Sequence, residues 1–152
     1  MNTNISIEQS SPYDLQAIQH LLASASLPWQ DIQHHFEYFM VARSPLGIAG
    51  CAGLERAGNS GLLRSLAVAA PHQKAGLGTA LCTAILDRAR HLGFDSVYLL
   101  TTTAEKFFAR FGFERISRER APREISNTAE FRTLCPSTAA LMVLHFRELR
   151  ST

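Results

Sequence analysis

The sequence predicts an α/β (α+β) fold in which about four helices pack on one mixed, mostly antiparallel sheet of about seven strands. Three observations predict it. Residues 39–68 break into three apolar runs separated by the turn signals Ser44-Pro45 and Gly58-Asn59-Ser60, the pattern of an antiparallel meander. Residues 77–92 switch to a helical period, with Leu77, Leu81, Ala84, Ile85, Ala89 and Leu92 on one stripe. Residues 97–100 are almost continuously apolar, as in a strand covered on both faces, and are expected to lie parallel to the strand over 60–68.

From the N-terminus, Ile5 and Ile7 alternate with polar neighbours over 4–9, the period of a half-buried strand. Ser11, Pro12 and Asp14 open a helix whose Leu15, Ile18, Leu21 and Leu22 carry it to about residue 25. Leu27-Pro28-Trp29 ends it, and a short helical piece is expected near 31–36. Strands follow over 39–43, 45–56 and 60–68, and Gly93 caps the helix 77–92. After the strand 97–100, Thr101-Thr102-Thr103 leads into a short helix over 104–111, and a strand starts near 114–117. Residues 122–134 read as irregular or partly helical, and the apolar 139–146 as a closing strand.

With 152 residues, the chain suits one domain spanning 1–152, long enough to bury a core without staples. The apolar fraction of 46% and charged fraction of 18% are those of a globular protein, with no apolar stretch of membrane-spanning length. A membrane is therefore not an expected partner. The formal charge is +2, with Lys and Arg dispersed, so nucleic acid is not expected either. Only 115–123 is locally basic, which fits a solvated turn after a strand as well as a binding role. The first residues lack the basic start and apolar centre of a signal peptide, which points to the cytoplasm. Three cysteines without CxxC spacing suit reduced thiols, and no metal site is expected; His34-His35 reads as surface or packing.

The stretch that carries chemistry is VAAPHQKAGLGT, from Val68 to Thr79, between a strand and a helix. Glycines at a helix N-terminus let unpaired backbone N–H groups face one way, where the helix dipole adds positive charge, so an anion is expected there. A Walker loop would need a Lys and a Ser or Thr straight after its second glycine, whereas Gly78 is followed by Thr79 and Ala80. The three spaced glycines of a dinucleotide fingerprint are absent as well.

The spacing Gln73-x-x-Gly76-x-Gly78, with LRSLAV before it and AEKFFARFGF downstream at residues 104–113, resembles the GNAT superfamily of acetyl-CoA-dependent N-acetyltransferases. The resemblance covers most of the chain. It implies a parallel strand pair that splays apart, acetyl-CoA as donor with CoA as product, and the transfer of acetyl to a primary amine. It also implies cofactor contacts at Leu66, Ala67 and Val68 for the pantetheine arm and at Gln73, Lys74, Ala75, Gly76, Leu77, Gly78 and Thr79 for the diphosphate. Thr101, Thr102, Thr103, Phe107 and Phe108 would lie near the thioester. In the family the region after the first helix covers the acceptor, which makes Trp29 a substrate candidate; aromatic core packing is the competing expectation for it and its neighbours. Members often dimerise through sheet edges or terminal strands, and the apolar 139–146 is compatible with a homodimer.

Transfer needs a neutral amine, so a base must take a proton from an ammonium. Glu55 is the nearest candidate carboxylate, with Glu130 second and placed on the substrate side; for each, a solvated surface acid is the competing reading. Arg64, permanently charged, is a poor base but a good fork for an anionic substrate, with a solvent-facing cover of the sheet edge as its alternative. Ser65, beside it, supplies a hydroxyl and completes the catalytic candidates. The family's usual thiolate acid is a tyrosine, where this chain has Phe108, and phenylalanine has no proton to give. The tail pattern of Thr128, Glu130, Phe131, Leu134, Cys135, Pro136 and Ala139 further resembles the small N-acetyltransferases associated with bacterial arsenic resistance, which implies an arsenical or amino-acid-like acceptor. Three alternatives remain: a non-catalytic acyl-CoA sensor, a protein or peptide N-acetyltransferase, and a thiol-based arsenical binder using Cys135.

Overall fold

The computed structural model describes residues 4–73 and 75–146. Lys74, expected among the diphosphate contacts, lies outside the described residues. The elements are β1 (Ser6–Gln9), α1 (Leu15–Ser24), β2 (Met40–Ser44), β3 (Gly47–Ala57), β4 (Ser60–Val68), α2 (Leu77–His91), β5 (Ser96–Thr101), α3 (Glu105–Ala109), β6 (Glu114–Ile116), α4 (Arg123–Ser126) and β7 (Ala140–His145). The seven strands form one sheet in the order β1-β2-β3-β4-β5-β7-β6. It is antiparallel apart from the β4–β5 pair, where Ser60, Gly61 and Leu62 face Ser96, Val97 and Tyr98 in parallel register. The mixed architecture expected from the meander and the apolar run at 97–100 is thus present.

By packing, the described residues fall into two compact units. The first holds the residues to Glu55 and Leu63–Arg88. In it Pro12 opens a short 3-10 turn, and the Ser11 N–H donates to Asp14 Oδ2 at 2.9 Å, so the chain enters α1 already capped. Ile18 and Leu22 of α1 bury completely with Ile32, Phe39, Val41 and Cys51. The helical piece expected near 31–36 is two 3-10 turns, Ile32–His34 and Phe36–Tyr38, with Ile32 fully buried. Gly53 of β3 lies under the Phe39 ring: a Cβ there would stand 2.3 Å from Phe39 Cε1, so only glycine lets that ring seat. On α2 the expected stripe is turned inward, with Leu81, Ile85 and Ala89 buried.

The second unit holds Arg56–Leu62 and the residues from Ala89 onward. Gly93, at φ 82°, ends the α2 turn in the left-handed region. β7 inserts between β5 and β6, antiparallel to both, with Leu100 opposite Leu141 and Ile116 opposite Leu141 on its other edge. Ala57, Leu62, Tyr98, Ile125, Leu141 and Val143 form the core. The stretch over 122–134 resolves into α4 and a π-turn, Glu130–Leu134. The basic stretch before it is more than a solvated turn. Arg118 donates to the carbonyls of Ala139 at 2.9 Å and Phe131 at 3.4 Å and covers the Phe131 ring at 4.3 Å, tying the tail to the strand end.

Candidate active site

β4 leads directly into the anion loop. Past its end the Ala69 N–H donates to Ala49 O at 2.8 Å, and a 3-10 turn, Ala70–His72, turns the chain away. The Gln73 side chain donates back to Val68 O at 3.0 Å, so it shapes the loop it was expected only to line. Gly76 takes φ 83°, a conformation that a side chain resists, and a Cβ on it would meet nothing within 4 Å. The Ala80 N–H donates to Gly76 O at 3.1 Å and closes the first helical turn. The N–H groups of Leu77, Gly78 and Thr79 precede that bond and have no carbonyl of α2 to pair with. A helix of 15 residues thus starts on an open, glycine-lined surface, anchored by buried Leu77 and favourable for an anion.

Within β4, Ser65 sits at φ 63°, a left-handed residue in an extended strand, worth about 1–3 kcal/mol of strain. Two contacts hold it there: Arg64 Nε donates to Ser65 Oγ at 3.2 Å, and Cys51 Sγ donates to Ser65 O at 3.2 Å. Arg64 and Ser65 end a run of buried residues that starts at Gly61, while Leu66 and Val68 are half-buried.

Arg64 is the centre of a polar cluster that belongs wholly to the first unit. Its side chain has no exposed area. The guanidinium donates to Asp31 Oδ2 at 2.8 Å and Oδ1 at 2.6 Å, a two-toothed pair, and to Glu55 Oε1 at 2.9 Å. His35 stands in front of both carboxylates, Nε2 at 3.6 Å from Asp31 Oδ2 and Nδ1 at 3.7 Å from Glu55 Oε2. Burial alone would raise the Asp31 carboxyl, but the hydrogen bonds and charge of Arg64, with the charge of His35, outweigh it and hold Asp31 below its ordinary range. Asp31, His35 and Glu55 offer atoms within 4.8 Å of one another, a spacing a metal ion could use; against both carboxylates, however, lies the guanidinium, an internal cation.

Sequence reasoning found Glu55, Arg64 and Ser65, and the structure brings the three together. Neither surface alternative describes them: Glu55 is 6% exposed and Arg64 3%. The fork of Arg64, expected to hold a substrate anion, is engaged by Asp31, from which an acceptor would have to win it. Asp31 was not singled out, and His35 was read as surface or packing. The available signal was their i, i+4 spacing around buried Ile32, which puts both on one side of a helical turn.

The remaining candidates are placed as follows. Thr101 is half-buried and its Oγ1 accepts from the Ala104 N–H at 3.0 Å, while Thr102 and Thr103 are exposed. Phe108 is buried edge-on to Phe107, with centroids 5.0 Å apart, and packs on Phe113; Phe107 is half-buried. Glu130 is buried, and Cys135 Sγ donates to its Oε1 at 3.7 Å. These residues belong to the second unit, and the Arg64 cluster belongs to the first. Trp29 is 39% exposed. None of the three cysteines forms a disulfide, and burial pushes the Cys51 and Cys82 thiols up to about 12, which makes them packing groups. No helix among the described residues is long and apolar enough to cross a membrane.

The sequence model of the acetyltransferase (GNAT) family matches residues 5–113. An amino-acid acetyltransferase of Neisseria meningitidis is 29% identical over 93 residues, 60% of this chain and 21% of that protein. The chain thus spans about a fifth of the length of that curated relative. Among solved structures, N-acetylglutamate synthase of Neisseria gonorrhoeae, complexed with coenzyme A and N-acetyl-glutamate, superimposes with a TM-score of 0.80 at 22% identity, over 97% of this chain and 36% of that one. A Mycobacterium tuberculosis protein in complex with CoA gives 0.79 at 24% identity, over 93% and 99%. Both share the fold.

Proposed function

The chain belongs to the acetyltransferase (GNAT) family, and on that premise we propose that it is an N-acetyltransferase that moves acetyl from acetyl-CoA to the primary amine of a small, amino-acid-like molecule, arsenical analogues included. One observation carries this reading. The single strand β4 holds Arg64 and Ser65 of the polar cluster and, from the next residue, the Leu66–Val68 stretch that ends in the anion loop.

Acetyl-CoA supplies an activated acetyl thioester. The amides opening α2 would hold its diphosphate, and the backbone of Leu66, Ala67 and Val68 its pantetheine arm. Two carboxylates against one guanidinium leave the cluster with one net negative charge when His35 is neutral, which favours an ammonium. Glu55 takes the first ammonium proton, the amine nitrogen bonds to the acetyl carbon, the C–S bond breaks, and the thiolate is protonated from water, which takes up the second proton that the nitrogen sheds as the amide forms. Water is the source because Phe108 occupies the place of the phenol. The amino-acid-like acceptor is supported by the curated relatives, and the arsenical one by the tail pattern around Glu130 and Cys135.

The test is CoA release from acetyl-CoA with amino acids, amino-phosphinates, amino-arsenicals, polyamines and peptides, beside direct acetyl-CoA binding. Turnover of amino-acid-like amines is expected, with Glu55→Gln lowering kcat by roughly 100-fold or more at unchanged acetyl-CoA affinity. Tight binding with no turnover of any amine would overturn the enzyme in favour of an acyl-CoA sensor, and turnover confined to peptides would overturn the small-molecule acceptor.

A further inference from the structure

Each transfer by the proposed route releases one proton, and the cluster is graded for its removal. Side-chain exposure climbs through it from 0% at Arg64 to 7% at Glu55, 16% at Asp31 and 30% at His35. Glu55 has one oxygen on Arg64, and its other oxygen faces only His35 among the contacts described for it. We infer that His35 is the proton outlet of this site, a relay that accepts the proton collected by Glu55 and passes it to solvent. The inference rests on the proposed acetyl transfer.

Geometry and charge support it. Nδ1 faces Glu55 and Nε2 faces Asp31, so the neutral ring with its proton on Nε2 presents a lone pair to Glu55. The 3.7 Å gap exceeds a hydrogen bond and is closed by a small side-chain rotation. Protonation of the ring brings the two carboxylates, the guanidinium and the imidazolium to neutrality. Loss of a proton to water or a buffer base then restores the starting charge. Asp31, locked on Arg64, stays ionised and orients the ring without taking the proton itself. The charged groups facing the ring are Asp31 on its own segment, Glu55 on β3 and, behind them, Arg64 on β4; its near neighbours His34 and Glu37 are exposed. The backbone is fixed, with the His35 N–H donating to Ile32 O at 2.9 Å.

The experiment compares wild type and His35→Gln in dilute, bulky buffer and with added imidazole. In dilute buffer kcat should fall roughly tenfold or more with KM for acetyl-CoA unchanged, and imidazole should restore most of the loss while leaving wild type unaffected. A variant as fast as wild type in dilute buffer, or one whose loss no buffer base restores, overturns the relay. A second measurement needs no acceptor: nitrogen NMR of the His35 ring across pH in wild type and Glu55→Gln. The curves of the two proteins should differ, because ring Nδ1 faces the Glu55 carboxylate. Superimposable curves overturn the coupling on which the relay depends, whether or not any amine is turned over.

Discussion

Arg64 is a permanent charge with no route to water, so its stability depends on its partners. Replacing Asp31 by Asn keeps the shape and removes the charge that receives two of its N–H groups. We expect a loss of about 3 kcal/mol at neutral pH, the lower part of the range for breaking a buried pair because Glu55 remains. The loss should depend on pH in one direction. A carboxyl held below its unfolded value stabilises the fold above that value, and the contribution disappears as pH falls through the folded one. Denaturant melts of wild type and Asp31→Asn should therefore converge as the pH drops below about 3.8, the ordinary aspartate value; a constant difference would show that packing, not charge, holds the cluster. Glu55, Arg64 and Ser65 could be singled out in the sequence because transfer asks for a base and the family resemblance puts their strands near the acetyl group. Asp31 was not, since its contact with Arg64 spans 33 residues and its i, i+4 spacing to His35 says nothing of that partner.

The regular elements were more legible than the irregular ones. The strand over 60–68 and the start of the helix at residue 77 stand where the sequence placed them, because the one is an apolar run after a glycine turn and the other an apolar stripe opening on one. The helical pieces near 31–36 and within 122–134 were expected, but their type and bounds go with tertiary packing, Ile32 and Ile125 being fully buried in or beside them, which periodicity does not carry. The anion loop lies between these cases, and its role separates charge from backbone strain through one isosteric pair. Asn and Asp tolerate the left-handed conformation of Gly76 about equally, so Gly76→Asn reports strain alone and Gly76→Asp adds a negative charge. Calorimetry should show acetyl-CoA bound at least roughly tenfold more weakly by the Asp variant than by the Asn variant, since one opposing charge near a diphosphate costs about 1.4 kcal/mol or more. Equal affinities would remove the diphosphate from this loop.

For the chain as a whole, the question is which segments an acyl-CoA protects. The amides at 75–79, the strand Leu66–Val68 and the Arg64 cluster belong to the first unit, and their role rests on geometry as well as family resemblance. Thr101, Thr102, Thr103, Phe107 and Phe108 belong to the second and carry a cofactor role from resemblance alone. Binding to the native state must raise stability, by about 2.7 kcal/mol at a hundredfold excess over Kd, and must suppress the local openings of the segments it touches. Hydrogen exchange read by mass spectrometry, with and without acetyl-CoA, therefore locates the footprint. Protection is expected over 66–68 and 75–79, and again over 101–108 if the thioester end is bound as the family pattern implies. Protection in the first set without the second would leave the acetyl group next to the kink at Ser65, with Arg64, Glu55 and His35 as the polar groups that face it. The absence of a phenol at Phe108 would then have no bearing on the reaction.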